Sequence, residues 1–339
     1  MNKIIRFLLT IAVSSALFAC SSTSEVPEGD RLYTGLEPIK YTDYESNEHF
    51  TATQEEIEAA LDCPPNGAIF GSSYYRSPFP YSLWIWNAFH ESESPIGKWV
   101  TKTFGNQPVL MSWVNPALRA SVAQSQLRNH GYFRGTVNYE EKPYSKHPKA
   151  KIAYHVDCGH LFTIDTVTYS NFPLNADSLI AASADEAKIK SGSPFDVVSL
   201  DAERNRLSNL FRNNGYYYYQ PSYASYRADT VNTPGKVKLD VELADNLPEK
   251  ALKKWYIGNI SINLRRTFME ELKDSIHYYF FHAYFNGKKP PVRPRVIMSD
   301  MKLRHGQPYD YSKHTESNNR IASKGMFSSV DFQFTPRDP

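Results

Sequence analysis

The chain has 339 residues, with 38 Lys and Arg against 36 Asp and Glu, a formal net charge of +2. A balance this close to neutral, with no basic block, gives no support to nucleic-acid binding. Aromatic residues are plentiful (23 Tyr, 19 Phe, 5 Trp) and Gly is modest at 16, which favours many short strands with large faces to bury; the length predicts roughly two to four domains.

Residues 1–19 read as a targeting segment. Lys3 and Arg6 form a basic start, and Phe7 to Phe18 is an apolar run too short to span a bilayer. The run ends in Leu17-Phe18-Ala19-Cys20, which resembles the lipobox of bacterial lipoproteins, with a bulkier Phe18 than is usual there. That resemblance implies cleavage before Cys20 and acylation of Cys20, and two or more acyl chains anchor stably. An ordinary secretory signal is the plainer alternative. Without residues 1–19 the chain carries 36 basic and 36 acidic residues. Residues 20–30 then form a polar, lipid-anchored tether. Cys63 and Cys158, the other two cysteines, either pair as a disulfide or stay as separate buried thiols.

In the next stretch, residues 31–158, Leu36 to Tyr41 is a predicted strand and Thr53 to Leu61 a predicted helix. An aromatic insertion, Ile69 to Phe104, holds Trp84, Trp86, Phe89 and Trp99. It is either a helical elaboration packed on this unit or a docking surface for a partner or the membrane interface. A second helix over Pro116 to Asn129 follows, then Tyr132 to Glu140 and Lys151 to Asp157 as a hairpin. Residues 159–247 carry the clearest pattern. Phe162 to Tyr169 alternates apolar and polar residues, as a half-buried strand does, and a short helix is predicted near Asn175 to Ala187. Asp196 or Ser199 is placed to cap the next helix, in which Leu200, Leu207, Leu210 and Phe211 share one face. Strands over Tyr216 to Tyr226 and Lys236 to Leu243 complete the unit.

Residues 248–339 repeat the order with insertions. A strand over Trp255 to Leu264, a local hairpin or helix-turn through Ile276 to Gly287, a helix over Lys313 to Lys324 and a strand over Val330 to Phe334 are predicted. Nothing strand-like follows Thr335, so this third unit is expected to be truncated before its last strand.

A shared grammar links the three stretches: a Gly-x-x-Pro or Gly-x-Pro opening, a helix-length run, then glycine and aromatics. It runs from Pro108 to Gly131-Tyr132-Phe133, from Pro194 to Gly215-Tyr216-Tyr217, and from Pro308 to Gly325-Met326-Phe327. Gly131, Gly215 and Gly325 are read as the structural turns that stop each helix, where absence of a Cβ matters.

A strand-helix-helix-strand-strand unit with Gly-Tyr-Phe after its second helix resembles the POTRA (polypeptide-transport-associated) domain. The lipobox, Pro194-Phe195-Asp196, Arg212-Asn213-Asn214-Gly215-Tyr216-Tyr217, and Arg293-Pro294-Arg295-Val296 before Gly306-Gln307-Pro308-Tyr309 carry the resemblance further. Together they resemble the periplasmic region of BamA/TamA-type outer-membrane assembly factors with a lipoprotein signal, of the Bacteroidetes kind, apparently lacking the β-barrel. The resemblance implies an α+β fold of tandem units, each a three-stranded mixed sheet with two helices on one face. It also implies an outer-membrane, periplasm-facing location. The expected partners are unfolded outer-membrane β-barrel proteins and other envelope assembly subunits, with the membrane reached through the lipid anchor. The alternative is a stand-alone lipoprotein scaffold docking onto another envelope complex.

In POTRA domains the second strand lies at the sheet edge, where an extended chain can add by main-chain pairing. The resemblance places client- or partner-binding edges at Val137 and Tyr139, at Tyr217, Tyr219, Tyr223 and Tyr226, and at Phe332 and Phe334. About half of these tyrosines are expected to face their own helices, because strand side chains alternate. No catalytic motif is present: there is no His-Glu-x-x-His, Cys-x-x-Cys or Gly-x-Ser-x-Gly. Glu55, Glu56 and Glu58 are at helical spacing and read as a solvated face. His155, Asp157, Cys158 and His160 make a poor metal pattern, so no metal, cofactor or enzymatic activity is expected.

Overall fold

A computed structural model describes residues 22–267 and 269–337. The lipobox, Cys20 included, lies outside the described residues. The fold is α+β, built from three small sheets, the first and third of them mixed, and the helices packed on them. The chain divides into two compact units, the first running to Thr163 and taking in Pro194–Asp196, the second holding Ile164–Ser193 and the chain from Val197 onward.

In the first unit the strand predicted over Leu36 to Tyr41 spans a break: β1 (Leu32–Leu36) ends where it was to begin, and β2 (Lys40–Thr42) covers its end. Pro38, without an N–H to donate, lies in the break. Helix α1 (Glu48–Leu61) begins earlier than predicted because the Asn47 side chain accepts from the Phe50 N–H. The aromatic insertion folds as α2 (Tyr81–Phe89) and α3 (Pro95–Phe104), which pack on each other. After the single turn α4 (Met111–Val114), α5 spans Pro116–Asn129, the predicted bounds, with Pro116 at its first position and Asn115 capping it. Strands β3 (Thr136–Pro143) and β4 (Lys149–Asp157) close the sheet. β1 and β2 both pair parallel with β4, at successive stretches of it, and β3 pairs antiparallel along the other side. Helices α1 and α5 pack together over this sheet, with Ile57, Leu61, Leu127, Ile152 and Tyr154 in the core.

The second unit holds β5 (Thr163–Ser170) from Ile164 onward, then α6 (Leu174–Ala182) and α7 (Val197–Asn213). β6 (Ala224–Asp229) and β7 (Lys236–Leu243) follow, and β7 is central in the order β5-β7-β6. The strand predicted over Tyr216 to Tyr226 is much shorter than expected. Tyr216 to Tyr219 form a tight turn instead, and Pro221–Tyr223 is a 3-10 helix. Burial decides this: Tyr216 and Tyr219 pack edge-on against Phe211, which the alternating pleat of a strand would prevent for one of them.

The third sheet departs most from expectation. β8 (Ile260–Asn263) pairs parallel with β10 (Phe281–Phe285), which pairs antiparallel with β9 (Asp274–His277). The stretch predicted as a local hairpin or helix-turn is a hairpin and supplies two of the three strands, and all three precede helices α8 (Pro294–Asp300) and α9 (Tyr311–Ser323). Phe281, Ala283 and Phe285 alternate into the core, which gives the hairpin its buried face. Val330 to Phe334 is not a strand. Val330, Phe332 and Phe334 keep an alternating burial and pack on the core, but no ladder partner is present among the described residues. This stretch belongs to the same compact unit as β5–β7. The Asn213 side chain accepts from the Ser312 N–H at 2.9 Å, and the Arg212 guanidinium lies 3.8 Å from the Tyr311 ring centroid.

Candidate functional site

Each of the first two sheets has an antiparallel strand at an edge. β3 pairs only with β4, and β6 only with β7, so one side of each backbone is unpaired among the described residues. Such an edge is a template for an added strand. On β3, Val137 faces the core at 7% exposure while Tyr139, two residues on, is 42% exposed. On β6 the Tyr226 hydroxyl donates to the Leu200 carbonyl at 2.7 Å and the Arg204 guanidinium sits 4.9 Å from its ring centroid. Tyr226 is therefore on an edge strand but engaged with its own helix.

The other predicted edge residues are elsewhere. Tyr217 lies in the turn after α7 and packs 4.8 Å from Tyr309 and 5.1 Å from Phe334, centroid to centroid. Tyr219 is 3% exposed, and Tyr223 ends the 3-10 helix. Phe332 and Phe334 flank the His314 ring in the same cluster. These five are corrections: none lies on a sheet edge, Tyr219 is buried and the other four are half-buried. The glycine turns have φ of 86° at Gly131, 101° at Gly215 and 64° at Gly325, all in the region where a side chain is strained.

The insertion has a surface character that its helical form alone does not explain. Tyr81, Trp84 and Phe89 on α2 and Ile96, Trp99 and Phe104 on α3 repeat the same i, i+3, i+8 spacing. On a helix wheel that spacing covers an arc of about 140°. Leu83 on α2, and Gly97 and Thr101 on α3, are the buried positions. Ile96 is 76% exposed, Tyr81 66% and Trp99 59%. α3 also carries Lys98 and Lys102 and no acidic residue. At the end of α2, His90 Nε2 lies 3.3 Å from a Glu25 carboxylate oxygen, so the chain near Glu25 runs beside these helices.

The remaining candidates fall into place by burial. Glu55 and Glu56 are exposed, and Glu58 accepts from Gln54 and from the Tyr41 hydroxyl, so no carboxylate pair is isolated for hydrolysis. Cys63 and Cys158 are both free thiols, with Cys158 buried in the core. His155, Asp157, Cys158 and His160 do not converge. The structure instead brings together His49, His130 and Asp196, which lie too far apart in sequence for any spacing rule to connect. No helix among the described residues is long and apolar enough to cross a membrane.

No family model matches the chain. No match is found among curated proteins. Among solved structures the chain is similar to POTRA3-5 of BamA from Haemophilus influenzae, at 10% identity and a TM-score of 0.40, covering 93% of this chain and 94% of that one. It is also similar to POTRA1-3 of the periplasmic domain of Omp85 from Anabaena, at 11% identity and a TM-score of 0.30, covering 92% and 91%. CdiB from Escherichia coli matches at 9% identity and a TM-score of 0.23, covering 72% of this chain and 34% of that one. With likenesses of this size, the fold rests on the strand orders described above.

Proposed function

We propose that this chain is a lipid-anchored, periplasm-facing arm of an outer-membrane protein assembly machine, which receives extended client segments by main-chain pairing. The observation that carries this reading is the pair of edge strands, β3 and β6, each with one unpaired side. Backbone hydrogen bonds are indifferent to sequence, which suits a receptor for many unfolded β-barrel clients. Tyr139 offers an exposed ring and hydroxyl beside the β3 edge, an amphipathic contact of the kind favoured at interfaces. No group in this reading performs covalent chemistry. A photo-crosslinker introduced in cells at Tyr139 and at Arg227, the exposed neighbour of Tyr226, should trap unfolded outer-membrane proteins. The same group at Tyr219 should trap none. Capture of folded partners alone would refute the client-receptor reading and favour the scaffold alternative.

The aromatic insertion is assigned to the bilayer surface that holds the anchor. Cys20, acylated in this reading, is only five residues from Glu25, a reach of at most about 18 Å. Glu25 in turn touches His90 at the end of α2. Trp, Tyr and Lys on a short amphipathic helix are the composition that settles at a headgroup interface. Labelling with a radioactive fatty acid tests the anchor itself: incorporation should be lost in Cys20→Ala.

A further inference from the structure

We propose that His49, His130 and Asp196 form a zinc site within the first unit, a role independent of client binding. His130 directly follows α5 and is 3% exposed. Its Nε2 lies 3.1 Å from a Glu56 carboxylate oxygen. With Nε2–H donated to Glu56, the neutral ring presents Nδ1 as a bare lone pair. That Nδ1 makes no hydrogen bond, and it faces an Asp196 carboxylate oxygen at 3.5 Å.

A lone pair facing a carboxylate oxygen in a buried place is repulsive, and a cation between the two turns the pair attractive. Zinc holds nitrogen at ~2.0–2.1 Å and oxygen at ~2.0–2.2 Å in a tetrahedron, which sets neighbouring ligand atoms ~3.3 Å apart. The observed 3.5 Å is close to that spacing and is poor for a hydrogen bond. His49, at the start of α1, supplies the third ligand: one donor atom from each of the three residues lies within 4.8 Å of the others. Its Nε2 is 2.8 Å from the His130 carbonyl oxygen, so a hydrogen bond donated there leaves Nδ1 for the metal. His49 and Asp196 are half-buried, which leaves a fourth position open to water.

The surroundings support the same chemistry. Glu56, one side of His130, and the ion on the other reproduce the carboxylate–histidine–metal arrangement that fixes a ligating ring. His49 and Glu56 lie two turns apart on one face of α1, so a single helix delivers both a ligand and the carboxylate that orients the other histidine. Two imidazoles with one carboxylate suit zinc, whereas calcium and magnesium take oxygen ligands. The competing arrangement is a His130 imidazolium held between Glu56 and Asp196 with no metal at all.

Equilibrium dialysis of the purified full chain against Zn²⁺ alone, with cobalt substitution, separates the two. Zinc is expected to bind one per chain, to raise the melting temperature, and cobalt to give a tetrahedral absorption band. His49→Gln and Asp196→Asn should each weaken zinc at least tenfold and abolish the band. Glu56→Gln, which acts through His130, should weaken zinc about 10–100-fold while the band persists. The half-buried His49→Gln is expected to keep its far-UV circular dichroism, so loss of binding there is not loss of fold. Absence of stoichiometric zinc, or unchanged affinity in both His49→Gln and Asp196→Asn, overturns the proposal.

Discussion

Glu203 and Arg206 stand one turn apart on α7 with their charged groups 2.6 Å apart, and the Glu203 side chain is fully buried. Glu203 also accepts from the Tyr169 hydroxyl at 2.7 Å and from the Lys188 N–H at 2.8 Å, so every neighbour satisfies the ionised form. Burial opposes that charge, but the bonds from Arg206, Lys188 and Tyr169 outweigh it and hold the carboxyl below its ordinary range. Removing one partner of such a pair strands the other, at a cost of about 3–5 kcal/mol. Glu203→Ala should therefore destabilise the second unit by that amount, read as lost hydrogen-exchange protection on β5 and β7. Because the folded pKa is depressed, this stabilisation is present above the unfolded carboxyl value of about 4.3 and is lost as pH falls through the folded value. The parent chain should lose protection below about pH 4 more steeply than Glu203→Gln.

Gly131 and Gly325 both end a helix, yet substitution should affect them unequally. At Gly131 an added Cβ would lie 2.8 Å from the Phe195 carbonyl oxygen and 3.1 Å from that of Phe162, on a backbone with φ of 86°. At Gly325 it would meet nothing within 4 Å. Gly325→Ala should cost only the left-handed strain, about 1–2 kcal/mol. Gly131→Ala should cost clearly more, since two backbone carbonyls must shift. Equal shifts in thermal midpoint would show that contact with Phe162 and Phe195 contributes nothing.

The two thiols are expected to be inert in the folded chain. Burial pushes Cys158 up to about 12, and burial likewise raises Cys63 against the opposing charge of Arg119. Since the thiolate is the nucleophile, iodoacetamide at pH 8 should leave both unmodified until urea is added. Mass spectrometry of protein purified under oxidising conditions should find no Cys63–Cys158 linked peptide; finding one would contradict the two free thiols.

Trp99 and Phe104 are solvent-exposed at 59% and 52%, and their exposure has a purpose only if something covers them. Replacing either with Ser should reduce flotation of the chain with phosphatidylethanolamine–phosphatidylglycerol vesicles about tenfold, the scale of one large apolar side chain. The measurement belongs on Cys20→Ala protein, where the acyl chains cannot mask the effect. Undiminished flotation in the double substitution would remove the bilayer from consideration.

Much of the fold was legible because its signals are local. Pro116 at the start of α5, with Gly131 just past its end, set that helix at its observed bounds. Phe162 to Tyr169 was recognisable as a strand from its alternation, and β5 covers Thr163–Ser170. The tyrosines after Gly215 misled for a related reason: a Tyr-rich run has strand propensity, but Phe211 captures Tyr216 and Tyr219 and bends the chain into a turn. The third sheet was only half legible. Its hairpin was one of two local readings, whereas its pairing with β8 depends on residues that meet only in the folded chain.

The amino-acid sequence by itself determined where the helices stop, which stretches are extended, and that strand-helix grammar repeats along the chain. These depend on φ/ψ preferences and side-chain periodicity within about ten residues. The tertiary structure decided which strands are edges, which tyrosines are interior, and that His49, His130 and Asp196 converge. Each of those is a relation between segments distant in sequence. Burial and pairing energies settle such relations only once a core has formed, and no local preference encodes them.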